Sequence, residues 1–158
     1  AKLRKVFDEN LYDPANEPDI TYPYLFAQVK GQEWRTDSLV NVLLKKHFKN
    51  QPDVIPGNDD TGTMSAWAVF SMMGLYPDCP GIPRYTLTAP TFDRITLHLD
   101  PRYYKHDTLV IECERPSAEA IYVDHIEVNG KRLKGRFISH DDLVNAGTLR
   151  FVLTEKKK

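Results

Sequence analysis

The stretch PGNDDTGTMSAWAVFSMMGLYPDCPG, Pro56 to Gly81, determines how this chain is organised. It opens with a polar loop that carries two adjacent carboxylates, Asp59 and Asp60. The segment that follows is apolar nearly all round, and such a helix requires neighbours on every side. Gly74 and Pro77 end it. The stretch predicts a buried helix entered through an acidic loop, which could be a turn, a helix cap, a metal site or half of a catalytic pair.

The segments upstream also have helical character. NEPDITYPYLFAQVKG starts with a cap-like Asn16, carries Pro18 where a first turn accepts proline, and ends at Gly31. In TDSLVNVLLKKHF, residues 36–48, apolar positions follow helical spacing and Asp37 is a candidate N-cap. These helices are too few to cover the apolar segment after Asp60. We therefore expect them to belong to a larger helical domain.

Beyond the prolines of YPDCPGIPRY the period of the pattern shifts towards two. RITLHLD, TLVIECE, AIYVDHIEVNG, GRFIS and TLRFVLT read as strands, and Asn129-Gly130 is a hairpin signal. About five or six short strands predict an antiparallel sheet or a small sandwich. The predicted class is α+β, with helices over residues 1–80 and a β-rich segment over residues 81–158.

Composition excludes several classes of function. The chain has 158 residues, with 21 basic and 22 acidic side chains and a net charge of -1. This balance argues against nucleic acid or an anionic membrane as a partner. The aliphatic runs are too short to span a bilayer. Cys79 and Cys113 lack a CxxC spacing, so they predict neither a zinc site nor a disulfide framework.

Two polar clusters stand at the predicted helix starts: Asn16 with Glu17 and Asp19, and Asn58 with Asp59 and Asp60. A helix N-terminus favours an ionised acid, which suits a general base or a metal ligand better than a general acid. Carboxylate and amide oxygens also suit calcium. The alternative is that both clusters are only caps and turns, which such sequences commonly form.

The elements NEPD, PYL, WRT, the Pro56–Gly81 block and PTF occur in the same order in the C-terminal portion of glycoside hydrolase family 92, which this chain resembles. These are calcium-dependent, exo-acting α-mannosidases, chiefly bacterial. The resemblance implies helices from the end of an (α/α)6 barrel, followed by β-sandwich material. It also implies inverting hydrolysis of terminal α-mannosides, in which a carboxylate activates water opposite a carboxylic acid.

Residue by residue, the resemblance implies Asp60 as the catalytic base, with Asp59 as the second candidate. Asn16, Glu17 and Asp60 match the part of the family's site that holds calcium. Substrate contacts are expected from Asn16, Glu17, Asn58 and, by stacking, Trp34. Ile20-Thr21-Tyr22 replaces a histidine pair of many members. The family's general acid is a Glu well upstream of NEP, and no residue of this chain matches it.

We therefore expect the chain to be part of a calcium-dependent mannosidase that degrades mannose-containing glycans, with α-1,2 linkages as the expected substrate. Because members of the family degrade external or periplasmic glycans, the resemblance implies a periplasmic or secreted protein, although the charged start of the chain shows no signal sequence. The chain alone is expected to be inactive. Trp67, Phe70 and Met73 should drive self-association or pack against the β-rich half. The rival hypothesis is a non-catalytic carbohydrate-binding or structural module.

Overall fold

The computed structural model describes residues 2–52 and 55–157. Helices form most of the first half of this part. They are α1 (Lys2–Asp8), a 3₁₀ helix (Glu17–Gln28), α2 (Glu33–His47) and α3 (Thr63–Met73), with a short α4 (His140–Val144) among the later strands. The 3₁₀ helix, α2 and α3 occupy the segments predicted to be helical. The sequence analysis missed α1, a helix of seven residues that buries none of them.

The second half is built mainly from strands. They are β1 (Leu75–Tyr76), β2 (Arg84–Leu87), β3 (Arg94–His98), β4 (Thr108–Glu114), β5 (Tyr122–Val128), β6 (Lys131–Arg132), β7 (Phe137–Ser139) and β8 (Thr148–Thr154). They form a three-stranded sheet in the order β1-β2-β7 and a five-stranded sheet in the order β3-β4-β8-β5-β6. Asn129 and Gly130 both adopt positive φ, as a tight hairpin between β5 and β6 requires.

The expectation of a purely antiparallel sheet is wrong in one place. Strands β4 and β8 pair in parallel, with Ile111 opposite Leu149 and Cys113 opposite Phe151. Both strands lie at the centre of the five-stranded sheet and alternate buried with partly exposed residues. The sheet is therefore mixed. The α+β class is confirmed, whereas the (α/α)6 barrel and the division at residues 80 and 81 stay predictions.

The predicted cap at Asp37 is also wrong. Helix α2 begins at Glu33, so Asp37 is its fifth residue, and its side chain is completely buried. The carboxylate accepts hydrogen bonds from Thr88 Oγ1 at 3.0 Å and Val123 N at 3.0 Å. Arg136 donates to both of its oxygens, at 3.1 and 2.8 Å. Asp37 therefore joins α2 to the β-rich half through a buried ion pair.

Two apolar clusters meet along α3. Trp67 is 2% exposed and packs among Ile20, Tyr24 and the buried face of α2, as expected for a core residue. Phe70 and Met73 pack against the cluster that holds the strands together. Burial against the β-rich half is thus what covers these two side chains here. Val69, also on α3, remains 56% exposed.

The helices of the described part show no membrane span, because none is both long enough and apolar enough.

Candidate active site

The two polar clusters lie in loops that touch each other. Gly57 has a φ of +70°, and a Cβ placed on it would lie 2.8 Å from the Cβ of Ala15. Ala15 immediately precedes Asn16, and Gly57 immediately precedes Asn58. A side chain on Gly57 would separate the loops, so this glycine permits their close approach.

The helices that follow these loops run side by side in the same direction. Trp67 Nε1 of α3 donates to the carbonyl of Ile20 at 2.9 Å, and four residues further along both helices Tyr24 and Ser71 share a hydrogen bond of 2.5 Å between their hydroxyls. Because both contacts follow the same order, the two N-termini lie at one end. Their positive dipole ends therefore face the region of the two loops.

Asp59 is tied to the first turn of α3. Its Oδ1 accepts hydrogen bonds from the backbone N–H and the hydroxyl of Ser65, both at 2.8 Å. Its carbonyl also accepts from the N–H groups of Gly62 and Met64. The cap reading of the double acid therefore applies to Asp59, which is fixed in place by the helix that it caps.

Asp60 is in a different situation although it is the next residue. Asp60, Thr61 and Gly62 have φ values of +49°, +61° and +93°, so the chain enters α3 through three left-handed residues. This conformation is unfavourable for residues with a Cβ and is often retained at functional sites. Asp60 is exposed, and its carboxylate accepts no hydrogen bond from the part of the chain described. It is therefore available to an external ligand.

On the other loop, the Asn16 amide donates to Asp19 Oδ1 at 3.2 Å, and Asp13 N donates to Asp19 Oδ2 at 3.1 Å. This orients the Asn16 amide and leaves its oxygen free to accept. Glu17 is exposed but lies close enough to Tyr76 for its charge to act on that phenol. Burial raises the pKa of Tyr76 to about 12, and the charges of Asp78 and Glu17 raise it in the same direction.

The other two candidates differ in position. Asn58 is exposed between Gly57 and Asp59, in one of the two acidic loops that touch each other. Trp34 lies near the start of α2, where its ring packs edge-on against Tyr122 of β5 at 6.4 Å between centroids. Arg35 and Lys157 place their charged groups 4.5 and 4.8 Å from its centre. These contacts are with α2 itself, the β-rich half and residue 157, so a substrate role for Trp34 stays a prediction.

The side chains on the two acidic loops suit a hard cation, because they offer oxygen atoms as ligands. These side chains are Asp60, Glu17, Asn58 and Asn16. Within residues 2–52 and 55–157, however, no three His, Cys, Asp or Glu side chains come together as a metal-binding group. The described residues therefore fit one part of a calcium site, with amide oxygens, water or sugar hydroxyls needed to fill the coordination sphere.

Sequence reasoning missed Ser65 and Tyr76. Ser65 holds Asp59 across six positions, a spacing outside the usual capping patterns because three left-handed residues intervene. Tyr76 stacks on Tyr24 at 4.4 Å and is drawn to the loops only by tertiary packing. No local signal in the sequence indicates either contact.

Comparison with known proteins identifies the family of the chain. The model of the glycosyl hydrolase family 92 catalytic domain matches residues 1–155. An uncharacterized secreted glycosidase of the fungus Arthroderma benhamiae is 28% identical over 99% of this chain and 20% of its own length. A family 92 α-mannosidase of Bacteroides thetaiotaomicron superposes with a TM-score of 0.82 and 28% identity, covering 92% of this chain and 19% of that one.

A second structure, the family 92 inverting mannosidase of Bacteroides thetaiotaomicron VPI-5482, gives a TM-score of 0.80 and 29% identity over 97% of this chain and 20% of that one. The first mannosidase has also been solved in complex with mannoimidazole. The chain spans about one fifth of the length of these relatives. A match of the family model over nearly all its residues, on a fold shared with solved members, shows that this chain belongs to glycosyl hydrolase family 92.

Proposed function

We propose that a protein containing this chain removes terminal mannose from α-linked glycans, with α-1,2 linkages as its substrate, and inverts the anomeric centre. The observation that carries this proposal is the contact between Gly57 and Ala15, which gathers both acidic loops at two helix N-termini. The solved relatives named as α-mannosidases support the substrate class. The relative described as secreted supports a secreted or periplasmic location.

In this mechanism the Asp60 carboxylate accepts a proton from a water molecule as that water attacks the anomeric carbon. Asp60 suits the role better than Asp59, because the Asp59 carboxylate already accepts two hydrogen bonds from Ser65. Asp60 also lies at the entrance to α3, where the positive end of the helix dipole favours a negative charge. The partner acid must lie roughly 6.5–9.5 Å away, across the sugar, to leave room for the water.

Calcium, held by oxygens of Asn16, Glu17 and Asp60, would bind mannose hydroxyls and orient the ring. The Asn16–Asp19 hydrogen bond holds the Asn16 amide so that its oxygen can accept or coordinate. Asn58 extends the polar surface towards the sugar. In the isolated chain, no residue matches the family's acid, so we expect no hydrolysis without the remainder of the protein.

The test compares two isosteric variants in a protein that contains this chain together with the rest of its catalytic domain. Asp60→Asn should lower kcat by at least ~10²-fold, since the water loses its base. Asp59→Asn should affect thermal stability more than Asp60→Asn does, because it weakens a helix cap. Proton NMR of the first product should show β-mannose. Wild-type kcat in Asp60→Asn, or α-mannose as the first product, would refute the assignment.

A second function has its own support. Asp59 does cap α3, and Asn16 does bind Asp19, as the non-catalytic carbohydrate-binding or structural hypothesis expects. Calorimetric titration of the chain with calcium and mannose separates the two hypotheses. Saturable binding that EDTA removes and Asp60→Asn weakens would favour the half-site of an enzyme. Mannose binding that is insensitive to both would favour a binding module.

A further inference from the structure

A cleft lies between the helical and β-rich halves, away from the two acidic loops. Its volume is about 670 Å³. One wall is the turn at residues 30–33, which leads into α2. The other walls are residues 123–126 of β5 and the segment 132–136 that follows the β5–β6 hairpin. Because segments from both halves form it, the cleft exists only when the two halves are packed together.

Basic side chains dominate the charges that line this cleft: Lys30, Arg132, Lys134 and Arg136. Arg136 is neutralised by Asp37, to which it donates two hydrogen bonds. The other three are exposed and form no ion pair with any described residue. Three cations that form no ion pair with a described residue therefore border one concave surface.

Two carboxylates also line the cleft. The Oδ2 atom of Asp124 lies 2.7 Å from Nδ1 of His125, so part of the hydrogen-bonding capacity of this carboxylate is already used. Glu33 lies at the first residue of α2, where the helix dipole stabilises its charge. Against these two acids stand Lys30, Arg132 and Lys134, so the lining carries a positive excess.

The start of α2 adds to this excess. The side chain of the cap residue, Gln32, accepts from Arg35 Nε at 2.7 Å and makes no cap hydrogen bond to the backbone N–H groups of this 15-residue helix. Gly31 next to it has a φ of +77° and open space where a Cβ would stand. A helix start with nearby Lys and Arg side chains is a common arrangement in oxyanion sites.

We propose that this cleft binds a tetrahedral oxyanion, phosphate or sulfate, either free or carried on a sugar. Lys134 and Arg132 would contact the anion from the β-rich half, and Lys30 and the start of α2 would contact it from the helical half. The site uses none of the residues of the acidic loops. Its occupation would join the two halves in addition to the buried Asp37–Arg136 pair.

The chain itself, with its fold checked by circular dichroism, is titrated with inorganic phosphate, sulfate, a hexose 6-phosphate and the unphosphorylated hexose. Backbone NMR shifts of Gly31 and Gly135 are followed. We expect saturable shifts with the three anions and none with the neutral sugar. A hexose phosphate that binds more tightly than inorganic phosphate would identify a sugar-borne anion, whereas equal affinities would identify the free oxyanion.

Lys134→Gln and Lys131→Gln form a matched pair, since each removes one lysine charge near the same hairpin and only Lys134 lines the cleft. Lys134→Gln should weaken phosphate binding about fivefold, as expected for loss of one charge-assisted contact. Lys131→Gln should leave the affinity within twofold. The proposal is wrong if the anions give no saturable shift, or if both variants weaken binding equally, which would indicate unspecific attraction.

Discussion

Replacing Asp37 with alanine should destabilise the chain more than any surface substitution of a charged residue. The Asp37 side chain is fully buried, and the Arg136 side chain is only 12% exposed. The substitution leaves the guanidinium of Arg136 without its anion, and it also removes the acceptor of Val123 N and Thr88 Oγ1. Three segments of the β-rich half lose their tie to α2 at once.

The magnitude follows from the burial of the pair. Removing one partner of a buried ion pair costs ~3–5 kcal/mol, because the other charge stays buried and unpaired. The free energy of unfolding of a domain is only ~5–15 kcal/mol. The variant should therefore lose a large part of its stability. Thr88 N donates to the carbonyl of Gly74 at 3.0 Å, so the C-terminal end of α3 should also loosen.

Urea unfolding followed by circular dichroism measures the loss. The matched control is Glu112→Ala, since Glu112 pairs with Arg94 at 2.6 Å, a shorter distance, but with side chains 40% and 62% exposed. That exposed pair should contribute no more than ~1 kcal/mol. Equal losses in Asp37→Ala and Glu112→Ala, or a loss below ~1 kcal/mol in Asp37→Ala, would refute the reasoning that burial determines the cost.

Other predictions concern the candidate site and α3. Asp60→Gly should raise the free energy of unfolding by ~1 kcal/mol, because glycine adopts the left-handed conformation without strain. The same substitution removes the proposed base. An unchanged or lower midpoint of urea unfolding would count against backbone strain at this position. Asp59→Ala should cost ~1 kcal/mol through loss of the α3 cap, visible as a lower Tm. Gly74→Ala should cost more than ~1 kcal/mol, because a residue with a Cβ is strained in the left-handed conformation that Gly74 adopts at a φ of +79°, and the new Cβ would meet a backbone oxygen at 2.7 Å; soluble, equally stable protein would contradict this. Raising the pH should weaken folding between about 10 and about 12, where the unfolded chain has lost the Tyr76 proton and the folded chain still holds it. Tyr76→Phe should reduce that loss, and Tyr103→Phe, at a side chain 77% exposed, should not change it.

Local patterns in the chain were enough to locate most elements. Period-two alternation identified β3, β4 and β8, and Asn129-Gly130 identified the β5–β6 hairpin. Glycine at the end of the α3 segment identified its C-terminus, and Gly74 does cap it. Such signals act within a few residues, so they survive whatever tertiary packing follows.

Pairing between distant strands was beyond local patterns. Nothing within β4 distinguishes a parallel partner from an antiparallel one, and its neighbour β8 lies more than thirty residues later. The 3₁₀ character of Glu17–Gln28 was equally hidden, although the start with proline in the first turn was predicted. Both depend on contacts with other elements rather than on intrinsic propensity.

The candidate site shows the same division. The two acid-amide clusters and their helix starts were visible in the chain, and the contact between Gly57 and Ala15 then brought the loops together. The distinction between the two adjacent acids was not visible. It arises because Ser65 engages Asp59 and three left-handed residues turn Asp60 outwards.

The sequence by itself determined that a polar, doubly acidic loop leads into an apolar helix, and it determined the family, because both are properties of consecutive residues. Only the tertiary structure decided what each acid does. Asp37 has the local pattern of a cap, yet it is a buried anion bound to Arg136, 99 residues away. Asp59 and Asp60 are adjacent in sequence, yet one is bound to α3 and the other is exposed. The role of a carboxylate depends on the donors and the water around it, and folding assembles those from distant parts of the chain.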